Sequence, residues 1–306
     1  MKYYSNEAVT RCLTENPSID VIRMAYQELY RGGAAIQARS RIGVPAAKFS
    51  TMAAIITSLG IAAVKMYTTI NSHFKFHVAL YSIEDGRLLA VIEADALTRF
   101  RTAATTVLAA SYLARPNATT LGIFGSGIQA TAHAELLLST LAIEEVHITG
   151  VGNEAELARK LRDRHGVRVA VSDAPTAAGC DIVVLATRAT SPVIKGEWLG
   201  EGSFVAGIGS TRPDCRELDD GSIERAAEIV VDWKEQTLRE AGDLLLLPEG
   251  CLEKKRVVDL SSVIGEDRRR RADCKDIVVY KAVGMALQDA AVASLVYQKA
   301  SATYST

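Results

Sequence analysis

The hydrophobic pattern changes period twice along the chain. Residues 6–31 carry apolar positions at helical spacing, broken at Asn16-Pro17. Ser18 is placed to cap a second helix over residues 19–30, which Gly32-Gly33 closes. Between Ile36 and Val91 the pattern turns to short β-like runs, at residues 34–39, 48–53, 62–69, 76–81 and 88–94. Glu84-Asp85-Gly86-Arg87 reads as the hairpin turn between the last two. So many strands in succession imply an antiparallel sheet or barrel. An alanine-rich helix is expected from Thr98 to about Leu113, ended by Arg115-Pro116-Asn117.

Beyond that break the chain alternates. Strands are expected at residues 119–124, 145–149, 167–171, 181–186, 203–207 and 228–231, with helices at 129–141 and 154–165. Strands that are apolar throughout and alternate with helices argue for a parallel sheet covered on both faces. Residues 277–281 read as one more strand, followed by a long alanine-rich helix that must pack on something and is expected to return to the first domain. The fold class is therefore α/β, a Rossmann dinucleotide-binding domain of residues 115–285 inserted into an α+β domain made from residues 1–114 and 286–306.

Composition narrows the partners. The chain has 306 residues, 48% hydrophobic and 23% charged, with a formal net charge of -1. That balance gives no electrostatic reason to expect nucleic acid or an anionic membrane. The one basic run, Arg268 to Arg271, lies among Glu266, Asp267, Asp273 and Asp276 and reads as a solvated loop. The N-terminal residues hold no apolar h-region, and apolar stretches such as residues 51–64 fall short of the roughly 20 residues that cross a bilayer, so a cytoplasmic protein is expected. Cys12, Cys180, Cys215, Cys251 and Cys274 form no C-x-x-C pair and suit reduced thiols. The histidines are dispersed, so no metal is expected.

One loop carries a specific chemistry. Gly125-Ser126-Gly127-Ile128-Gln129-Ala130 follows the expected strand Leu121-Gly122-Ile123-Phe124 and opens a helix. Gly125 permits the tight turn, Gly127 lets a pyrophosphate approach the backbone, and Ala130 lets helix pack closely on strand. The dinucleotide is NADPH or NADH. An acid ending the second strand would hold the ribose hydroxyls of NAD, yet Ile148-Thr149-Gly150-Val151-Gly152-Asn153-Glu154 offers none there. Glu154 reads as a first-turn glutamate complementing the helix dipole, so the reading leans to NADPH.

Cations stand out at three places in the first third. Lys65 lies in the apolar run Ala62-Ala63-Val64-Lys65-Met66-Tyr67, Arg101 opens an apolar helical stretch, and Arg39 and Arg41 flank Ser40. Each alone reads as a snorkelling or surface side chain. Together they could clamp a small carboxylate, with an apolar lysine suited to proton transfer.

These motifs occur with two more, Gly209-Ser210-Thr211-Arg212-Pro213-Asp214-Cys215-Arg216-Glu217-Leu218-Asp219 and Tyr280-Lys281-Ala282-Val283-Gly284-Met285-Ala286. The set resembles the ornithine cyclodeaminase and mu-crystallin family over nearly the whole chain. The resemblance implies a homodimer whose outer domain binds substrate and dimerises, acting at the α-carbon of a small imino or amino acid carboxylate. It implies that Lys65, Arg101 and Arg39, or its rival Arg41, hold the carboxylate, Lys65 also handling the imine proton. Implied cofactor contacts are Gly125, Gly127, Ile128, Gln129, Ala130, Thr102, Thr149, Gly150, Thr187, Gly209 and Val283. The aspartate that assists amine attack in cyclodeaminases falls on Thr211, the fourth implied catalytic position, and Asp214 is not its equivalent. This departure is closer to the ketimine reductase side, so the expected activity is NAD(P)H-dependent reduction of Δ1-pyrroline-2-carboxylate or Δ1-piperideine-2-carboxylate to proline or pipecolate. Ornithine cyclodeamination with bound NAD, dehydrogenation of an open-chain amino acid, and non-catalytic NADPH binding are the alternatives.

Overall fold

The computed structural model describes residues 1–71, 73–268 and 275–303. Its elements begin with β1 (Lys2–Tyr4), α1 (Asn6–Cys12), α2 (Glu15–Tyr30), β2 (Ala34–Ile36), β3 (Ser40–Val44), β4 (Ala47–Ile56), β5 (Ile61–Ile70), β6 (His73–Ser82), β7 (Leu88–Glu93) and α3 (Asp95–Leu113). They continue through β8 (Thr120–Phe124), α4 (Ile128–Thr140), β9 (Glu145–Thr149), α5 (Glu154–His165), β10 (Arg168–Val171), α6 (Ala174–Ala178), β11 (Ile182–Leu185) and β12 (Phe204–Gly207). The remainder are α7 (Asp220–Arg225), β13 (Ala226–Val231), α8 (Lys234–Glu240), α9 (Gly242–Leu245), β14 (Val257–Asp259), α10 (Leu260–Gly265), β15 (Ile277–Lys281) and α11 (Ala286–Thr303). The contacts divide the chain into one unit of Met1–Thr105 with Gly284–Thr306 and a second of Thr106–Val283. Sequence reasoning places the first boundary at the proline break after residue 114. The contacts place it inside α3, because that helix runs through the boundary unbroken.

The first unit is built on a seven-stranded sheet in the order β1-β7-β6-β5-β4-β2, with β3 paired to β4. It is antiparallel except where β1 runs parallel to β7. Period-two burial is clearest in β5, where Ile61, Ala63, Lys65 and Tyr67 are buried and Ala62, Val64 and Met66 are half-buried on the other face. Helix α11 packs on β4, β5 and β6 and against α2, so the final helix does return to this unit. Gly86, at φ +73°, sits in the turn from β6 to β7, where Ser82 N–H bonds to the Arg87 carbonyl at 3.0 Å. Helix α2 begins earlier than Ser18 suggests, at Glu15 after the cap position Thr14. Pro17 lies in its first turn, where an N–H has no intrahelical partner to lose. Strands β1 and β3 escaped the sequence reading: β1 has three residues, and all five of β3 are exposed, so neither shows a period.

The second unit is an eight-stranded, wholly parallel sheet in the order β10-β9-β8-β11-β12-β15-β13-β14. The order reverses between β8 and β11, the crevice where open α/β sheets bind ligands. Every residue of β11, β12 and β15 is buried, as a sheet covered on both faces requires. A Cβ on Gly122 would overlap the Ala177 carbonyl of α6, so glycine lets that helix lie directly on β8. Arg269 to Arg271 of the basic run, and Cys274, lie outside the described residues. Among the described residues no helix is long and apolar enough to cross a membrane.

Candidate active site

The phosphate loop sits at the C-terminal end of β8, beside the order reversal. Gly125 has φ +105°, its N–H bonds to the Thr149 carbonyl at 2.8 Å, and a Cβ there would come 2.8 Å from the Ala186 carbonyl oxygen. That turn needs glycine. Gly127 caps α4 with no side-chain hydrogen bond, and no acid lies in the first turn. A Cβ on Gly127 would meet nothing within 4 Å, and Ile128 is 70% exposed. The free N–H groups and dipole of a 13-residue helix therefore face open space, a ready seat for an anion. Gln129 is half-buried and Ala130 fully buried against the sheet.

The other implied cofactor residues of this unit cluster at neighbouring strand ends. Thr149 ends β9, and Gly150 follows it. The Glu154 carboxylate does more than face its helix dipole. Its Oε1 accepts from Gly152 N–H at 2.7 Å and Ser126 Oγ at 3.1 Å, and a Cβ on Gly150 would overlap that same oxygen. Burial opposes ionisation, but the Gly152 N–H, its own N–H and the Ser126 hydroxyl outweigh it and hold the Glu154 pKa below the usual value.

Past β11 and β12, Thr187, Gly209 and Ser210 converge on Glu217, which is fully buried. Gly209 N–H donates to Glu217 Oε2 at 2.7 Å and Ser210 N–H at 3.1 Å, while Thr187 takes Oε1. Asp243 in turn accepts the N–H groups of Glu217 and Leu218 at 2.6 and 2.8 Å and pairs with Lys281 at 2.9 Å, both partners fully buried. Val283 N–H donates to Asp232 at 3.0 Å, and Tyr280 donates to the same carboxylate at 2.5 Å. Thr211 is half-buried in the loop after Ser210. Asp214 is exposed, and the Arg212 guanidinium, donating to it from Nε at 2.9 Å and Nη2 at 2.5 Å, holds its carboxyl down to about 2.

The first unit gathers the cations. Lys65 is 1% and Arg101 5% exposed. Lys65 Nζ donates to Thr98 Oγ1 at 2.6 Å and Asp289 Oδ1 at 2.8 Å, and lies 4.6 Å from the Phe76 ring centroid. Arg101 Nε donates to the same Asp289 oxygen at 3.0 Å, and its Nη1 to Gln288 Oε1 at 2.5 Å. Arg39 Nη2 donates to the Gly284 carbonyl at 2.9 Å, and Gly284, at φ +78°, lies against the Arg101 guanidinium. Arg41 is exposed on β3, so Arg39 is the arginine beside the pair. Thr102, one residue beyond Arg101 on α3, donates to the Thr98 carbonyl at 2.7 Å. Burial pushes the Lys65 pKa down to about 7, the charges of Arg101 and Arg39 adding to the fall and Asp289 opposing it.

Sequence reasoning found the three cations but not the acids that organise the two sites. Asp289 was legible as the lone carboxylate in the apolar stretch Ala286-Leu287-Gln288-Asp289-Ala290-Ala291. Glu217, Asp243 and Asp232 carried no comparable signal, because acids next to loops read as solvated. The described cysteines are free, and burial pushes the Cys180 thiol up to about 11, leaving it inert near neutral pH. Among the described residues no cluster of His, Cys, Asp and Glu could hold a metal ion.

A parallel sheet of this order, with an open helix end at its reversal, defines a dinucleotide-binding Rossmann unit, in a chain whose other unit carries a buried cationic cluster. The chain belongs to the Ornithine cyclodeaminase/mu-crystallin family, which it matches over residues 19–304. It is 34% identical over 232 residues to the ketimine reductase mu-crystallin of Mus musculus, covering 75% of this chain and 71% of that relative. The structure is similar to that of a probable ornithine cyclodeaminase from Bordetella pertussis Tohama I, with TM-score 0.96, 39% identity and coverage of 100% of this chain and 98% of that one. It is also similar to Thermococcus litoralis Delta(1)-pyrroline-2-carboxylate reductase in complex with NADH and L-proline, with TM-score 0.91, 27% identity and coverage of 99% and 98%.

Proposed function

We propose that the chain is an NAD(P)H-dependent oxidoreductase that reduces a cyclic ketimine carboxylate, Δ1-pyrroline-2-carboxylate or Δ1-piperideine-2-carboxylate, to L-proline or L-pipecolate. The observation that carries it is the gathering of three cations at one buried place: Lys65 and Arg101 share the Asp289 carboxylate, and Arg39 lies close enough for its charge to act on Lys65. Such a cluster suits the carboxylate of a small substrate. Relatives named as a ketimine reductase and as a Delta(1)-pyrroline-2-carboxylate reductase support the same reading.

The open N-terminus of α4 fits a dinucleotide pyrophosphate, with Gly125, Gly127, Ile128, Gln129 and Ala130 as its cradle. When bound, the reduced nicotinamide supplies the hydride that adds to C2 of the imine, the ring nitrogen taking a proton, so that C=N becomes CH–NH. Arg101 and Arg39 hold the carboxylate and neutralise it, which makes the imine carbon a better hydride acceptor. Lys65 donates the proton to the imine nitrogen, directly or through a water, from an ammonium whose pKa of about 7 suits transfer at neutral pH. Thr102, Thr149, Gly150, Thr187, Gly209 and Val283 contribute to holding the dinucleotide, and Thr211 to the reacting end. Residues 1–114 and 286–306 form the substrate and dimerisation domain and 115–285 the cofactor domain of a cytoplasmic homodimer.

Glu154 bears on which dinucleotide is used. The strand end carries no acid, which by itself leans to NADPH, but the Glu154 carboxylate occupies the space a side chain at Gly150 would fill. A negative charge there favours ribose hydroxyls over a 2′-phosphate and supports NADH as the preferred form. The decisive experiment is to follow NADH and NADPH oxidation by purified protein with each cyclic imine from acid to alkaline pH. Absence of oxidation under all conditions overturns the reading. Similarity to a probable ornithine cyclodeaminase favours a second reading, and ammonia release from L-ornithine without net cofactor oxidation would establish it.

A further inference from the structure

Among the described residues, Asp289 is the acid in direct contact with both Lys65 and Arg101, the buried cations of the first unit. It is 1% exposed, in the first turn of α11, and only one of its oxygens is engaged. Oδ1 accepts from Lys65 Nζ at 2.8 Å and from Arg101 Nε at 3.0 Å, and so fixes the spacing between a strand lysine and a helix arginine. Gln288, the preceding residue of α11, takes Arg101 Nη1 at 2.5 Å and is itself held by donation to the Tyr26 hydroxyl at 2.8 Å. Neighbouring residues of one helix thus bind the inner edge of the guanidinium. The contacts to Thr98 and Asp289 use two of the three Lys65 donors, leaving one for another acceptor.

We propose that Asp289 is the positioning residue of the substrate site: by bonding Lys65 and Arg101 through one oxygen it holds the lysine as an ammonium proton donor and sets the two cations at the separation a substrate carboxylate spans. This rests on the reductase reading above and assigns a role that reading leaves open. The charged groups around Lys65 are Arg101 on α3, Arg39 after β2, and Asp289 on α11; Thr98 and the Phe76 ring complete the surroundings. Burial and both arginines oppose the ammonium form, and Asp289 is the acid that opposes them. Loss of its charge would leave Lys65 neutral at the pH where it must give up a proton.

The test reads Lys65 itself. Full-length protein labelled with ¹³C-lysine is titrated by NMR, the Lys65 resonance being assigned by its disappearance in Lys65→Arg. In Asp289→Asn the Lys65 midpoint is expected to fall by about one pH unit or more. The alkaline limb of kcat/KM for the cyclic imine should move by the same amount, and Asp289→Glu should restore both in part. An unchanged midpoint in folded Asp289→Asn overturns the proposal, whatever happens to activity. If that variant does not fold, Asp289→Ser, which leaves room for a water, gives the same comparison. Because the midpoint is read without substrate, a protein that reduces no cyclic imine fails the functional reading while the role of Asp289 is still decided.

Discussion

Thr187 gives both its backbone N–H and its hydroxyl to a single oxygen of Glu217, each at 2.8 Å. The second Glu217 oxygen takes the N–H groups of Gly209 and Ser210, so one buried carboxylate ties the loop after β11 to the loop after β12. Both loops lie at the C-terminal edge of the sheet, where a dinucleotide would rest. Glu217→Gln turns one acceptor oxygen into a donor that faces N–H groups. The variant is expected to lose about 2 kcal/mol of stability. Dinucleotide affinity, read by fluorescence titration, should weaken about tenfold, which is ~1.4 kcal/mol. A variant that melts earlier yet binds NADH as before would limit Glu217 to a structural role.

Lys65→Met should separate catalysis from stability. Met has nearly the length of Lys, needs no hydrogen bonds, and leaves Arg101 paired one to one with Asp289. Imine turnover is expected to fall by about a hundredfold or more, as removal of a general acid does, with little change in NADH affinity.

The stability effect of the same change depends on pH in a defined direction. The folded-state pKa of Lys65, about 7, lies below its ordinary 10.5. Between those values the unfolded chain binds more protons than the folded one, so the penalty for burying Lys65 is greatest below about pH 7 and fades as pH rises toward 10.5. Lys65→Met should therefore unfold at a higher temperature than the parent near neutral pH, and the gap should narrow in alkaline buffer. A gap that widens with pH contradicts the lowered pKa.

The parts of this molecule that could be read from its sequence are those with a strong period or a glycine requirement. Strands β9 and β15 and helix α5 fall at their expected residues, because apolar runs bounded by turn residues leave little choice. The phosphate loop was legible for the same kind of reason: Gly125 needs a positive φ and Gly127 an open face. The cation cluster was half legible. A lysine in an apolar strand announces a buried partner, but β5 and α11 are more than 200 residues apart in the chain, and only tertiary pairing puts Asp289 against Lys65, 224 residues before it. The position of Glu154 in the first turn of α5 has an adequate local explanation, whereas its further contact with Ser126, 28 residues earlier, depends on β8 lying beside β9 and was not legible.

Glu154→Ala is expected to change the choice of dinucleotide. Removing the carboxylate opens the space over Gly150 and Gly152 and withdraws the negative charge that a 2′-phosphate would meet. The ratio of kcat/KM for NADPH to that for NADH should rise by about tenfold or more, mostly through KM for NADPH. An unchanged ratio would place the ribose away from this carboxylate.

The outer face of the first unit's sheet carries the last prediction. In β4 the residues facing α11 are buried, whereas Phe49 and Ile55 on the opposite face are 39% and 46% exposed. Ile55 lines an open groove of about 420 Å³ with Ala53 of the same strand, Ala62 and Val64 of β5 and Tyr81 of β6. An apolar sheet face left open to water is costly, and covering it is the ordinary reason for a homodimer. Ile55→Lys puts an ammonium into the middle of that face without touching the cations on its other side. If the face joins two copies, the variant should sediment as a monomer at concentrations where the parent is a dimer. Its Rossmann unit should still bind NADH with unchanged affinity. A variant that remains dimeric assigns the dimer contact to another surface.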